Sequence, residues 1–450
     1  MPEKEHNQLL SGPILQSVVK LALPITATAF VQMTYNLVDM FWISKIGTAA
    51  VAAVGAGGMF LWFSEGLLML SRMGGQVFTA QRIGAGDKEG ARAYATASLE
   101  LSFMLALLFC ACMFIFHRPL IGLYNFQNAE LVQMAHHYLL IVSVGVIFSF
   151  VGNTLTALSI ASGNSRLPFA VNVAGLMLNM ILDPVFIFVL NLGVAGAALA
   201  TMLSQVFVCT LMSSQVLRMT IFRHLPFKRQ NRLLEYRSLL RFGLAPAGQS
   251  MGFTTIGIVL SRIVSNFGEA AFAIQRIGVQ IEAISWMTGD GFGNALRAFV
   301  SQNYGANKLK RALQGQRLTQ HLMFGLGLIN GILLYVLAEP IYRAFSNDPQ
   351  VLAGGANYLR ILALSQAAMC VEIILEAAFN GFGQSTLPAM TALFFTAIRI
   401  PMAWILVMPL GVDGVWWAIT LSSLFKGIIL WILFRIFYRK KLLPQLKLIQ

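Results

Sequence analysis

The sequence predicts an all-α polytopic membrane protein with twelve transmembrane helices in two pseudo-symmetric six-helix lobes. Three observations predict it. The 450 residues are 57% hydrophobic and 11% charged, with a mean hydropathy of +0.70, whereas soluble domains carry about 25% charged residues. Apolar stretches of about 20 residues, enough to cross a hydrocarbon core, recur along the whole length. The second half also repeats the landmarks of the first.

The predicted spans of the first lobe are 14–43, 51–80, 92–116, 131–162, 168–190 and 195–220. Those of the second are 236–265, 271–302, 313–337, 350–381, 388–409 and 414–438. Residues 1–220 thus form an amino-terminal lobe, 221–235 a basic linker and 236–450 a carboxy-terminal lobe. The first apolar segment exceeds signal-peptide length and lacks a cleavage pattern, so it is expected to stay in the protein.

The repeat is read from ordered matches. "SVVKLALP" from Ser17 meets "SLLRFGLAP" from Ser238, and "AQRIGAGD" from Ala80 meets "SQNYGANK" from Ser301, both at an offset of 221. Pro119 meets Pro340, Tyr138 meets Tyr358, and "GNSRLP" from Gly163 meets "GQSTLP" from Gly383. "GVAG" from Gly193 meets "GVDG" from Gly411, where the offset has drifted to 218. Two lobes of like orientation place a substrate cavity between them near the membrane midplane. The loop glycines and prolines also suit plain tight turns.

Charge placement sets orientation. The run from Arg218 to Arg241 holds seven Lys/Arg against one acid. "QRIGAGDKEGARA", "NYGANKLKRALQGQR" and the carboxyl tail are basic too, whereas "NLGVAG" and "PLGVDG" are nearly free of Lys and Arg. Basic loops stay cytoplasmic. Both termini and the linker are therefore expected inside, in a bacterial-type inner (cell) membrane. The net charge of +14 does not mark a nucleic-acid binder, because no basic stretch forms a separate module. Cys110, Cys112, Cys209 and Cys370 lie in apolar segments without zinc-site spacing and are expected to be packing residues.

Within this apolar background the acids stand out. Asp39, in "QMTYNLVDMFW", has no adjacent base, and a charge at mid-membrane costs about 2.5–3.5 kcal/mol even on the mildest scale. Gln32, Asn36 or Tyr35, and Asp39 share one helical face; Asn172, Asn179 and Asp183 share another at i, i+7 and i+11. Asn153 and Thr201 add oxygens in the same lobe. The repeat sharpens this reading. Asp39 aligns with Leu260, Asp183 with the Pro401 region and Asn179 with Ala397, so the fold does not demand acids there. A carboxyl group removed from water holds a proton more tightly, and a second carboxylate nearby strengthens that hold. The group suits a proton or a hard monovalent cation, although membrane helices also use Asn and Thr as interhelical glue.

Pro24 interrupts the hydrogen-bond ladder of the first segment and Pro184 follows Asp183, so both allow bending. The remaining embedded charges are expected to pair: Glu65 with Arg72, Asp290 with Arg297, and Glu372 and Glu376 with Arg399. Glu372 and Glu376 are also candidates for a second cation site. Met and aromatic residues abound (Phe41, Trp42, Trp62 and Phe63 among them) and generally pack or face lipid. The subset read as a wall for flat cationic drugs, beside Asp39, is Met33, Met40, Phe60, Phe150, Met177, Trp286 and Met287.

Taken in order, "LALP", "YNLVDMFWISKIG", the paired "QRIGAGD" and "QNYGAN" loops, "GNSRLP" and "NMILDP" resemble the multidrug and toxic compound extrusion (MATE) family, most closely its DinF (DNA-damage-inducible F) subgroup. The resemblance spans nearly the whole chain. It implies a monomeric antiporter that exports cationic amphipathic drugs in exchange for protons or sodium and needs no cofactor. It further implies that Asp39 is the central acid, with Asn179, Asp183 and Thr201 completing the cation site, sodium included. Tyr35, Asn36 and Asn153 match surrounding polar positions, and Pro24 matches a bending point. Sodium-driven NorM-like members carry an acid within segment seven, which "IGIVLSRIVSNF" lacks; that favours the proton. A lipid-linked-precursor flippase is the competing transporter class and would be expected to show basic residues in its cavity. No HExxH, GxSxG, Walker A or Cys/His cluster supports an enzyme or an ATP-driven pump.

Single cysteines introduced at residues 225–232 are expected to react with impermeant thiol reagents only from the cytoplasmic side. Labelling from outside intact cells would overturn both the orientation and the helix count.

Overall fold

The computed structural model of the chain describes residues 9–227, 232–346 and 348–449. Among them the first lobe comprises α1 (Ile14–Ile46), α2 (Thr48–Gly84), α3 (Lys88–Gly122), α4 (Ala129–Ala161), α5 (Arg166–Pro184) and α6 (Gly193–Val216). The second comprises α7 (Leu233–Ser265), α8 (Glu269–Gly305), α9 (Leu309–Val336), α10 (Pro349–Ala363), α11 (Gln366–Gly381), α12 (Thr386–Leu410) and α13 (Asp413–Phe437). Nine of these described helices are long and apolar enough to cross a membrane, ten with the α10–α11 pair counted as one span. The polar faces of α7 and α8, with Arg241, Gln249, Glu282 and Arg297, keep those two below that apolarity; they complete twelve segments.

Most helices outrun their predicted spans. α2, with 37 residues, is about 55 Å long, well beyond a core of about 30 Å. Side-chain caps hold the longer amino-terminal ends of α3 and α4: Asp87 Oδ1 accepts from Gly90 N at 2.8 Å, and Asn128 Oδ1 from Glu130 N at 2.9 Å. Such caps satisfy otherwise orphaned N–H groups.

Two segments differ from simple rods. The predicted span 350–381 is split into α10 and α11, bent by 47°. Ser365 Oγ and Gln366 Nε2 both donate to the Leu362 carbonyl, at 3.0 and 3.2 Å, which tightens the turn at the break. After α5, Val185–Val189 form a π-helical turn that starts directly past Pro184. By contrast α1 runs unbroken through Pro24, whose carbonyl accepts from Thr28 Oγ1 at 2.9 Å.

The chain divides into two compact units, one of 1–11 and 23–247, the other of 12–22 and 248–450. The division falls inside α1 and α7 rather than in the basic linker. Residues 228–231 of that linker lie outside the described residues. Its flanks are anchored within the first unit: Arg92 Nε donates to the Ile221 carbonyl at 3.0 Å, and Arg232 pairs with Glu100 at 2.5 Å. Buried hydroxyls tie the same unit together, with Ser71 Oγ 2.7 Å from Ser102 Oγ and the latter 2.6 Å from Thr154 Oγ1.

The repeat reaches the backbone. Positive φ recurs at paired positions: Gly47 and Gly268, Gly86 and Asn307, Gly163 and Gly383, Gly193 and Gly411. Packing repeats as well. A Cβ at Gly57 would lie 2.6 Å from the Tyr138 ring, and one at Gly278 would lie 2.0 Å from the Tyr358 ring. Each glycine is the notch that admits a buried tyrosine. Gly278→Ala is therefore expected to destabilise the protein by about 1–3 kcal/mol through overpacking, read as a lower melting temperature in detergent. Gly257→Ala, where a Cβ meets open space, should leave that temperature nearly unchanged.

Candidate cation-coupling site

In the first unit α1, α5 and α6 bring five polar side chains together. Tyr35 and Asp39 come from α1, Asn179 and Asp183 from α5, and Thr201 from α6. Asp183 and Asn179 are fully buried, at 0% and 2% exposure. Asn179 Nδ2 donates to Asp183 Oδ1 at 3.4 Å, the i, i+4 contact that α5 geometry dictates. The Asp39 and Asp183 carboxyl groups are close enough to act on each other, as are the Tyr35 hydroxyl and Thr201. Buried Tyr138 of α4 lies beside both acids.

Three oxygens of this cluster, Asp39 Oδ1, Asp183 Oδ2 and Asn179 Oδ1, are buried without a hydrogen-bond partner. Among the described residues no Lys, Arg or His forms an ion pair with either acid. Buried polar atoms normally find partners. This set of lone pairs, concentrated on oxygen, can accept a proton or coordinate a hard cation. Among the described residues no group of three or more His, Cys, Asp or Glu gathers.

Beside the acids lies a cavity of about 160 Å³, whose wall includes Gln32, Tyr35, Asn153, Asn172, Asn179 and Gln205. Thr201 lines it too, so Tyr35, Asn179 and Thr201 belong to both places. None of its lining residues carries a formal charge. Asn153 sits in this wall and donates to the Ser149 carbonyl at 3.0 Å rather than joining the acids. Asn36 is exposed and accepts from Gln32 Nε2 at 3.1 Å, because a helical step of one residue past Tyr35 turns it off the acid face.

The residues expected to form a drug wall have different surroundings within their own units. Phe150 is 1% exposed and packs in the apolar core with Phe109, Leu139 and Val146, with Phe60 against the same cluster. Met177, Met40 and Trp286 are open at 61%, 43% and 44%, and Met33 and Met287 are half-buried. None of the seven lines the cavity beside the acids. An apolar residue in a membrane helix has two alternative destinations, core and lipid, that periodicity does not separate.

The second unit fills the matching place differently. Leu260, the counterpart of Asp39, packs with Ile256, Tyr358 and Trp416, and the Tyr358 and Trp416 rings meet edge to face at 5.1 Å. Its charges lie elsewhere and are matched. Lys426 Nζ is 2.8 Å from Glu372 Oε1, a partner that sequence reasoning missed. Arg399 donates to Ser422 Oγ at 2.7 Å and to Ser423 Oγ at 2.9 Å, so it is not bonded to Glu372 as expected, although it stands close to Glu372 and Glu282. Glu376 accepts from Gln249 Nε2 at 3.2 Å. Asp290 and Arg297 are joined through Asn294, which donates to Asp290 Oδ2 and accepts from Arg297 Nη1, each at 2.9 Å. Glu65 and Arg72 make no ion pair with each other; Arg72 Nη2 lies 3.8 Å from Met69 Sδ. Glu282 and Lys426 carried a signal, a charge inside an apolar run, that the sequence reading did not weigh.

Breaking the buried pair should be costly. Lys426→Met is expected to lower stability by about 3–5 kcal/mol because Glu372 loses its partner. Adding Glu372→Leu should recover much of the loss, as read by thermal unfolding; equal melting temperatures for wild type and Lys426→Met would remove the pair from the account.

Two stretches, residues 24–185 and 247–405, match the model of the MatE family. The chain is 26% identical to the probable multidrug resistance protein NorM of Thermotoga maritima, over 92% of this chain and 90% of that one. It is 25% identical to an FAD transporter of Shewanella oneidensis, over 94% and 95% of the two chains. Among solved structures, an outward-facing multidrug resistance MATE family transporter of the MOP superfamily matches with a TM-score of 0.88 at 25% identity, covering 95% and 97%.

Proposed function

Because the chain belongs to the MatE family of membrane transporters, we propose that it is a secondary antiporter exporting cationic amphipathic compounds in exchange for protons, coupled through Asp39. One observation carries the reading: two neighbouring buried carboxyl groups act on each other, and among the described residues no base is paired to either. Two carboxylates at that distance repel unless something positive lies between them. A proton shared by the pair offsets that repulsion and needs no ligand beyond the two carboxyl groups. Proton and cationic cargo then compete for the same negative charge. Acidification on the outer side loads the proton and releases the drug.

Sodium is the alternative coupling ion, with Asn179 Oδ1 and Thr201 as added oxygens. The lack of an acid in the apolar part of α7 supports the proton and the DinF-like assignment. The FAD transporter relative suggests a nucleotide cargo, and the flippase class a pyrophosphate. Against both, the cavity wall is made of amide, hydroxyl and apolar groups (Phe148, Leu176 and Val208 among the last), without a Lys or Arg to meet phosphate. The basic linker and tail favour an inner-membrane location with both termini cytoplasmic.

In proteoliposomes, an imposed proton gradient is expected to drive dye export and an equal sodium gradient is not; export with sodium alone would replace the proton reading. Asp39→Asn should abolish efflux with insertion intact, while Leu260→Asn should retain most of it. Dye affinity of the wild type should fall as pH falls, because protonation removes the attracting charge, and Asp39→Asn should lose most of that dependence. Ordinary dye resistance in cells carrying Asp39→Asn would sink the mechanism.

A further inference from the structure

Away from the acids, two metal-ligating side chains from different helices meet at the loop joining α3 to α4. His117 lies near the end of α3 and His136 near the start of α4. Their Nδ1 atoms are 3.0 Å apart, with ring centroids at 4.8 Å and planes at 86°. Both rings are half-buried. In the hydrogen-bonded pair one Nδ1 carries the proton and the other accepts it, so the rings take opposite tautomers.

A metal ion can bind between the two nitrogens once the donor ring moves its proton from Nδ1 to Nε2, which frees both Nδ1 lone pairs. With metal–nitrogen bonds of about 2.0–2.1 Å, neighbouring ligand nitrogens stand about 2.8 Å apart in square-planar geometry and about 3.3 Å apart in tetrahedral geometry. The observed 3.0 Å falls between those two bites. Swinging each ring by about 35–45° would aim both lone pairs at one point. Both helices belong to the first compact unit, so the two ligands are held by one body. Arg118 and His137 are the other charged or titratable groups acting on His136. Among the described residues no third His, Cys, Asp or Glu completes the group, so water would fill the remaining positions.

We propose that His117 and His136 form a two-imidazole site for a divalent transition-metal ion, Cu2+ held more tightly than Ni2+ or Zn2+. The order follows the intrinsic preference of nitrogen ligands. A bound ion staples the end of α3 to the start of α4 across residues 123–128. In the proposed orientation this site opens to the extracytoplasmic side. It needs neither acid of the coupling site, so it stands or falls independently of the transport reading.

The test is Cu2+ titration of the full-length, tag-free protein in lipid nanodiscs, followed by electron paramagnetic resonance. The expected result is a Cu2+ signal with two nitrogen ligands that binds about tenfold or more weakly in His117→Ala and in His136→Ala, and unchanged in His137→Ala. As a fold-independent check, Zn2+ should raise the melting temperature of the wild type and not that of His117→Gln, with metal-free melting temperatures compared first. A two-nitrogen signal that persists in His117→Ala, or a folded wild type without such a signal, would overturn the proposal.

Discussion

Hydrocarbon offers a carboxylate neither counter-charge nor hydrogen bonds, so an acid inside a membrane helix persists only with a proton, a base or a bound cation. The two halves of this chain meet that constraint in opposite ways. In the second, Glu372 has Lys426, Glu376 has Gln249, and Asp290 reaches Arg297 through Asn294. In the first, Asp39 and Asp183 have each other and neutral neighbours. A fold made by repetition has become electrostatically one-sided.

Much of this was legible in the residues themselves. Segment order followed from apolar run lengths, because a helix is the cheapest way to satisfy backbone groups in lipid. Asp39, Asp183, Asn179, Tyr35 and Thr201 were visible as polar exceptions at helical spacing, and they do converge. The repeat showed only that no acid is required there, since Leu260 stands at the matching position; the convergence of these helices was implied by the family resemblance. Tyr138 was seen only as a landmark; its place beside the acids depends on how α4 packs, which no local pattern encodes.

Other features were hidden for physical reasons. The break between α10 and α11 depends on side chains capturing one carbonyl, and Ser and Gln make such bonds or not according to rotamer. The hydroxyl chain Ser71–Ser102–Thr154 joins three helices through residues that are common everywhere in membrane proteins. Pro24 shows the limit from the other side. Proline removes one backbone donor, yet α1 stays helical across it, with Thr28 bonding the proline's carbonyl. A missing bond marks where bending is cheap and does not by itself bend the helix.

The π-turn after Asp183 has a consequence for how the two halves diverged. Between the Gly163/Gly383 and Gly193/Gly411 pairs the repeat offset falls from 220 to 218, so the first half holds two residues more over this stretch. A π-turn is how a helix absorbs an inserted residue without breaking, and Val185–Val189 adopt it where α12 remains purely α-helical. The ancestral copies thus parted by insertion as well as by substitution. Exchanging Asp183 for an apolar residue would erase the charge but leave the added winding, and the descendants would still not superimpose.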